Sequence, residues 1–162
     1  MADTRTFNEL VRQLDYSMFI VTTAAGGEQA GCLIGFASQV SIKPPRFLAC
    51  LSVKNRTFKI GARADVLVVH FVPRDATELA ERFGGETGDE VDKFAGIDWR
   101  PGPDGAPILT DLQNWFAGSI IQRLDLGDHC GFLLEPIAGQ AGRSESALMF
   151  HRAKSIEPGH EP

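Results

Sequence analysis

Gln39–Lys59 reads QVSIKPPRFLACLSVKNRTFK, and the fold depends on how its double proline is read. Pro44 and Pro45 have no N–H to give to a ladder, so they close one strand, Gln39–Ile42, before a second, Phe47–Val53, begins. That second strand runs into Lys54-Asn55-Arg56-Thr57, a polar, basic, turn-forming cluster. Asn55 is placed as the N-cap of a short helix carried by Phe58, Ile60 and Ala62–Ala64. Backbone N–H groups at a helix start and nearby side-chain donors are able to converge on an anion. An ordinary cap with two solvated cations is the competing reading of the same residues.

Outward from this stretch the chain alternates short apolar runs with turn signals. Upstream, Met18–Thr23 and Ala30–Phe36 flank the turn-like AAGGEQ and predict a hairpin, with Gln39–Ile42 continuing after a bend. Phe7, Leu10, Val11 and Leu14 recur at helical spacing, with Thr6 and Glu9 spaced as a capping box. Downstream, Val66–Val72 is apolar at nearly every position, as in a strand covered on both faces. Pro73-Arg74-Asp75 opens a helix, capped by Asp75 with Glu78, whose buried stripe is Leu79, Ala80 and Phe83. Gly84–Leu109 carries six glycines and three prolines and reads as a long loop of the kind that forms lids or binding segments. Trp115–Leu124, the turn LDLGDH, Cys130–Ile137 and Ala147–His151 supply three more strands, and residues 155–162 read as a disordered tail after a single domain spanning 1–154. About seven short strands with two or three short helices point to a mainly β, antiparallel barrel, because a parallel doubly wound sheet needs a helix between most strand pairs.

Composition narrows the chemistry. The 162 residues are 43% apolar and 23% charged with a formal charge of −5, which disfavours a nucleic-acid footprint. No apolar run approaches the ~20 residues that span a bilayer, and the N-terminus lacks a charged-then-apolar leader, so a cytoplasmic location is expected. Cys32, Cys50 and Cys130 are isolated in apolar surroundings and read as reduced, buried thiols. The four histidines, His70, His129, His151 and His160, have no metal-ligand spacing. The acidic cluster Asp89, Glu90 and Asp92 reads as a solvated face. Phosphate-loop, dinucleotide-fingerprint and hydrolase-elbow motifs are all absent from the sequence.

Four stretches, in order, resemble the flavin reductase-like family of FMN-binding split barrels: FIVTT; QVSIKPPRFLACLSVKNRT; LAERFGGETGDEVDKFAGIDWRPGPDGAPIL; and LGDHCGFLLEPI followed by MFHR. The resemblance spans Phe7 to Arg152 and implies a Greek-key split barrel. It implies FMN as cofactor, with FAD an option, and NAD(P)H as cosubstrate. By that likeness Ser52, Asn55 and Thr57, with Arg56 or Lys59, hold the flavin phosphate. Gly35, Phe36, Ala37, Ser38, Gln39 and Ser41 run along the ring and ribityl chain. Here the chain departs from the family, which usually carries a threonine and small polar residues where Leu33, Gly35, Phe36 and Ala37 stand. Phe36 reads as an aromatic wall or a core residue, Phe94 as a lid over the ring on the nicotinamide side or a pin for its loop, and His129 as a second nicotinamide-side residue or a solvated turn histidine. His151 is implied to lie near the flavin. No catalytic acid or base is called for, since the flavin carries the hydride chemistry. The implied assembly is a homodimer with shared sites, and the implied partner is a monooxygenase that takes up reduced flavin. The competing function is a non-catalytic barrel that binds a flavin, a deazaflavin or haem.

Overall fold

The computed structural model describes residues 3–85 and 92–155. Its first element, helix α1 (Thr4–Val11), is capped by Asp3, whose carboxylate accepts the Thr6 N–H at 3.1 Å. The Thr6–Glu9 capping box is therefore not used, and Glu9 pairs with Arg5 instead at 3.4 Å. The stripe Phe7, Leu10, Val11 and Leu14 is exposed.

Strands β1 (Phe19–Ala25) and β2 (Glu28–Ile34) form the expected hairpin, closed by Gly26 and Gly27. Both glycines have positive φ, 58° and 79°, which a two-residue hairpin turn requires. The chain bends at Gly35-Phe36 and enters β3 (Ala37–Ser41), which pairs with β4 (Arg46–Ser52) across the Pro44-Pro45 turn. The Lys43–Pro44 bond is cis. Helix α2 (Arg56–Gly61), strand β5 (Val66–Phe71) and helix α3 (Thr77–Gly85) follow. After α3 come β6 (Trp99–Pro101), β7 (Pro107–Leu109), the long hairpin β8 (Trp115–Asp125) and β9 (His129–Gln140), and a one-turn helix α4 (Phe150–Ala153).

Seven strands make one antiparallel sheet in the order β2-β1-β5-β8-β9-β4-β3. The sheet curls around an interior filled by Val21, Cys32, Leu51, Leu67, Phe132 and Leu134 and their neighbours. The ladder does not close, because β2 pairs only with β1 and β3 only with β4. This is a split antiparallel barrel with few helices, as expected. A second apolar cluster lies outside β1, where Ala80 and Phe83 of α3 meet Ile20, Leu109, Leu112 and Leu148. The buried Lys93 secures α3 there by donating to the Gly31 and Phe83 carbonyls at 3.1 and 3.0 Å.

Three further expectations are corrected. Ala147–His151 is not a strand: Ala147 and Met149 each make an isolated bridge, to Pro73 and Ser17, and the chain then turns into α4. Asp75 does not cap α3, which begins two residues later at Thr77. Within Gly84–Leu109 the chain is not all loop, since β6 and β7 pair there. The expected tail, except Ser155, and most of the acidic cluster lie outside the described residues. None of the described helices is long and apolar enough to cross a membrane.

Candidate active site

A cavity of about 250 Å³ opens where the end of β2, the Gly35-Phe36 bend, the end of β4 and the start of β9 come together. One part of its wall is apolar and aromatic, from Met18, Leu33, Ile34, Phe36 and Phe150, with Tyr16 beside them. The other part carries Ser52, Asn55 and His129. Cys32 and Cys50 complete the lining, and burial raises the pKa of both, so they stay thiols rather than thiolates.

The polar end is built by α2. Asn55 is its N-cap, and the side-chain oxygen accepts the Thr57 N–H at 2.8 Å. Thr57 itself is buried, and its Oγ1 has no hydrogen-bond partner among the described residues, with the Cys32 thiol beside it. At the other end of α2, Arg123 donates to the Gly61 and Ala64 carbonyls and lies over the Phe132 ring, 5.6 Å from its centroid. A cation at the C-terminal end of a helix opposes its dipole favourably, so Arg123 holds α2, and with it Asn55, in place. Arg56 is committed to Glu28 at 3.4 Å, a carboxylate it shares with Arg63. Lys59 is exposed on the last turn of α2.

His129 sits at the mouth, its ring 5.0 Å from that of Phe36. Its Nδ1 lies 2.7 Å from Asp128 Oδ1. That hydrogen bond, followed by the histidine's charge, holds the Asp128 carboxyl below its usual range. Phe36 is 55% exposed, which makes it a wall of the cavity and not a core residue.

Of the residues implied by the resemblance, the fold therefore brings Gly35, Phe36, Ser52, Asn55 and His129 to one cavity, with Thr57 a layer behind. Ala37, Ser38, Gln39 and Ser41 lie farther along the edge strand β3. Ser38 Oγ donates to the Gln39 carbonyl and Gln39 Nε2 to that of Ser41, both on their own strand. Phe94 is a pin and not a lid: it is 5% exposed, edge-on to Phe83 at 5.5 Å and to Trp99 at 6.0 Å. His151 is turned away from the cavity. Its N–H donates to Asp15 Oδ1 at 2.9 Å and its Nε2 is 3.2 Å from the Arg12 carbonyl. Its neighbour Phe150 takes the cavity position, a consequence of α4 replacing the expected strand. Tyr16, Met18, Cys32, Cys50 and Phe150 were not singled out by motif reasoning, because their convergence depends on long-range pairing.

A larger groove of about 650 Å³ lies between Phe71, Trp115, Phe116 and Gly139–Gly142. Its one charged lining residue, Glu145, accepts from Gln113 Nε2 at 2.6 Å, and the Asn114 and Gln140 side chains donate to the Arg143 and Gln113 carbonyls. Among the described residues no cluster of three His, Cys, Asp or Glu is placed to hold a metal.

The profile of the flavin reductase like domain matches residues 11–157. The chain belongs to the flavin reductase-like family. It is 29% identical to the FMN reductase (NADH) RutF of Acinetobacter baylyi over 96% of this chain and 82% of that protein. It is 30% identical to HsaB of Rhodococcus jostii, the reductase subunit of a flavin-dependent monooxygenase, over 96% of this chain and 80% of that protein. The crystal structure of a flavin reductase domain protein from Arthrobacter sp. FB24 superposes with a TM-score of 0.82 at 28% identity, covering 92% of this chain and 91% of that one. The cavity suits the flavin of such a reductase. A flat aromatic ring needs apolar walls, a phosphate needs donors at one end, and the orphaned Thr57 hydroxyl lies at that end.

Proposed function

We propose that this member of the flavin reductase-like family is an NAD(P)H-dependent flavin reductase that holds FMN in the cavity between β2, β4 and the β8–β9 turn. The observation that carries the reading is the grading of that cavity, from the aromatic wall at Phe36 to Ser52, Asn55 and the start of α2. A flavin held here would supply the hydride acceptor for the nicotinamide, so the protein's part would be to hold the reacting atoms within about 3–3.5 Å rather than to supply an acid or base. Asn55, Ser52 and the α2 start hold the phosphate end, with Thr57 behind them. The relation to a monooxygenase reductase subunit supports release of reduced flavin to a partner monooxygenase. Anaerobic stopped-flow absorbance of the FMN-loaded protein tests the reaction: NADH or NADPH is expected to bleach the yellow colour. A bound chromophore indifferent to both would overturn it.

His129 and Phe36 form the side from which the nicotinamide arrives. With Nδ1 engaged by Asp128, the histidine's Nε2 is the nitrogen left for a ligand. His129→Ala is expected to slow flavin reduction while FMN affinity stays within about twofold, measured by single-turnover reduction and by fluorescence titration. Equal losses in both, or in neither, would make His129 a turn residue only.

The working form is a two-fold dimer. A cavity of about 250 Å³ is smaller than the ~300–1,000 Å³ usual for cofactor sites, so a single protomer supplies part of the wall. Phe36, Val40 and Ile42 are 55%, 51% and 77% exposed along the open β3 edge, an apolar strip that a second copy covers. Light scattering at micromolar concentration is expected to give twice the chain mass. A monomer that still holds FMN would sink the shared-site arrangement.

A further inference from the structure

Tyr16 is the only tyrosine in the chain, and it lines the cavity beside Met18, Gly35 and Phe150. Its ring lies parallel to that of Phe150, with centroids 4.8 Å apart and planes 9° from each other, and tilted against Phe36 at 6.3 Å. Its backbone is fixed on both sides: the N–H donates to Asp15 Oδ1 at 3.1 Å and the carbonyl accepts the Phe150 N–H at 2.8 Å.

The ring's place depends on the missing side chain of Gly35. A Cβ there would stand 2.5 Å from Tyr16 Cε2 and 3.1 Å from Met18 Sδ. Gly35 does not have positive φ, so it is the space and not the backbone conformation that calls for glycine. The ring is half-buried, yet its hydroxyl makes no hydrogen bond among the described residues. Burial, and secondarily the Asp15 carboxylate, raise the phenol's pKa, which keeps it a donor.

Polar donors in the cavity fall into two groups. Ser52, Asn55 and His129 form one group, with Ser52 directly opposite His129 in the β4–β9 register and the His129 ring 5.0 Å from that of Phe36. The rest of the lining is apolar, from Met18, Leu33, Ile34 and Phe150 with the two thiols, and Tyr16 is the one further lining residue that carries a side-chain oxygen or nitrogen. An isoalloxazine has carbonyl acceptors on its pyrimidine edge, while the opposite edge is a dimethylbenzene. A ligand with its phosphate at Asn55 and an apolar wall along its ring meets its remaining donor at Tyr16.

We infer that Tyr16 binds the flavin ring directly, its face forming part of the wall and its hydroxyl donating to a carbonyl oxygen on the pyrimidine edge. This rests on the flavin-reductase reading and assigns the ring contact within it. Gly35 and Tyr16 then act as a pair, one making room for the other.

The test compares FMN and riboflavin binding to the full chain by flavin-fluorescence titration. Tyr16→Phe keeps the stacked ring and removes the donor. It is expected to weaken both ligands equally, by about three- to tenfold, the worth of one neutral hydrogen bond. Gly35→Ala is expected to weaken binding in the parent and to add little in a Tyr16→Ala background, the signature of coupled positions. With 3-fluorotyrosine incorporated, the single 19F resonance is expected to shift when FMN is added. A parent that binds FMN, with Tyr16→Phe binding it equally well, overturns the assignment. So does Tyr16→Phe raising only the KM for NADH, which would move the contact to the nicotinamide. A parent that binds no flavin overturns the flavin-reductase reading itself, and this assignment with it.

Discussion

Acidification from above pH 6.5 to about 4 is expected to cost the native protein about 3 kcal/mol through one side chain, His70. Its Nε2 accepts the Leu109 N–H at 3.0 Å, and its Nδ1 lies 2.9 Å from the Ile20 carbonyl. A backbone N–H only donates and a carbonyl only accepts, so the ring is the neutral tautomer with its proton on Nδ1. Burial drives the ring's pKa from 6.5 down to about 4, against a smaller opposing effect of the Ile20 carbonyl. The unfolded chain binds a proton at 6.5 and the native one does not until about 4. The stabilising contribution is thus complete above pH 6.5, falls as pH drops through that window, and is gone below it. Urea unfolding at a series of pH values reads the slope. His70→Phe is expected to remove this part of the pH dependence. It also removes the acceptor of the Leu109 N–H, at about 1–3 kcal/mol. A parent whose stability is flat between pH 7 and pH 4.5 would show that the ring is not held neutral.

The second large effect concerns the phosphate. Asn55→Ala combined with Thr57→Ala is expected to weaken FMN binding about tenfold or more, because charge-assisted bonds are worth ~1.5–3 kcal/mol each and ~1.4 kcal/mol is already tenfold. Removing the cap loosens α2 by about 1 kcal/mol, so riboflavin serves as the control. It lacks the phosphate, and its affinity is expected to change little. Loss of both ligands would indicate a damaged barrel. Unchanged FMN affinity would reduce Asn55 to the helix cap seen in its bond to Thr57. This pattern differs from the one expected for Tyr16→Phe, where both flavins weaken together, so the two ends of the site are separable.

Much of the architecture was legible because it is written in short-range rules. Pro44-Pro45 ends one strand and starts another, Gly26-Gly27 closes a hairpin, and Asn55 begins a helix; each needs only its neighbours in sequence. The near-continuous apolar run at Val66–Val72 announces a strand covered on both sides, and β5 lies between the interior cluster and a third cluster built on Val66, Val68 and Trp115. The order of motifs carried the family, and with it the expectation that the Gly35-Phe36 bend and the KNRT turn belong to one site.

What the sequence left open was decided by contacts between distant segments. The alternation in Ala147–His151 is compatible with a strand, but only two bridges form there, and α4 then places Phe150 rather than His151 in the cavity. Phe94 sits in a motif that reads equally as lid or pin, and the packing of α3 buries it against Phe83. His70 looks like any strand residue until β1 and the backbone after β6 supply its two partners. Tyr16 has no motif at all, and its role follows from a gap at Gly35, nineteen residues on, and a ring at Phe150 from the far end of the chain. Turns, caps and strand periodicity are properties of consecutive residues and can be read from them, whereas a binding wall is assembled from residues whose only relation is the space they share once the sheet has curled.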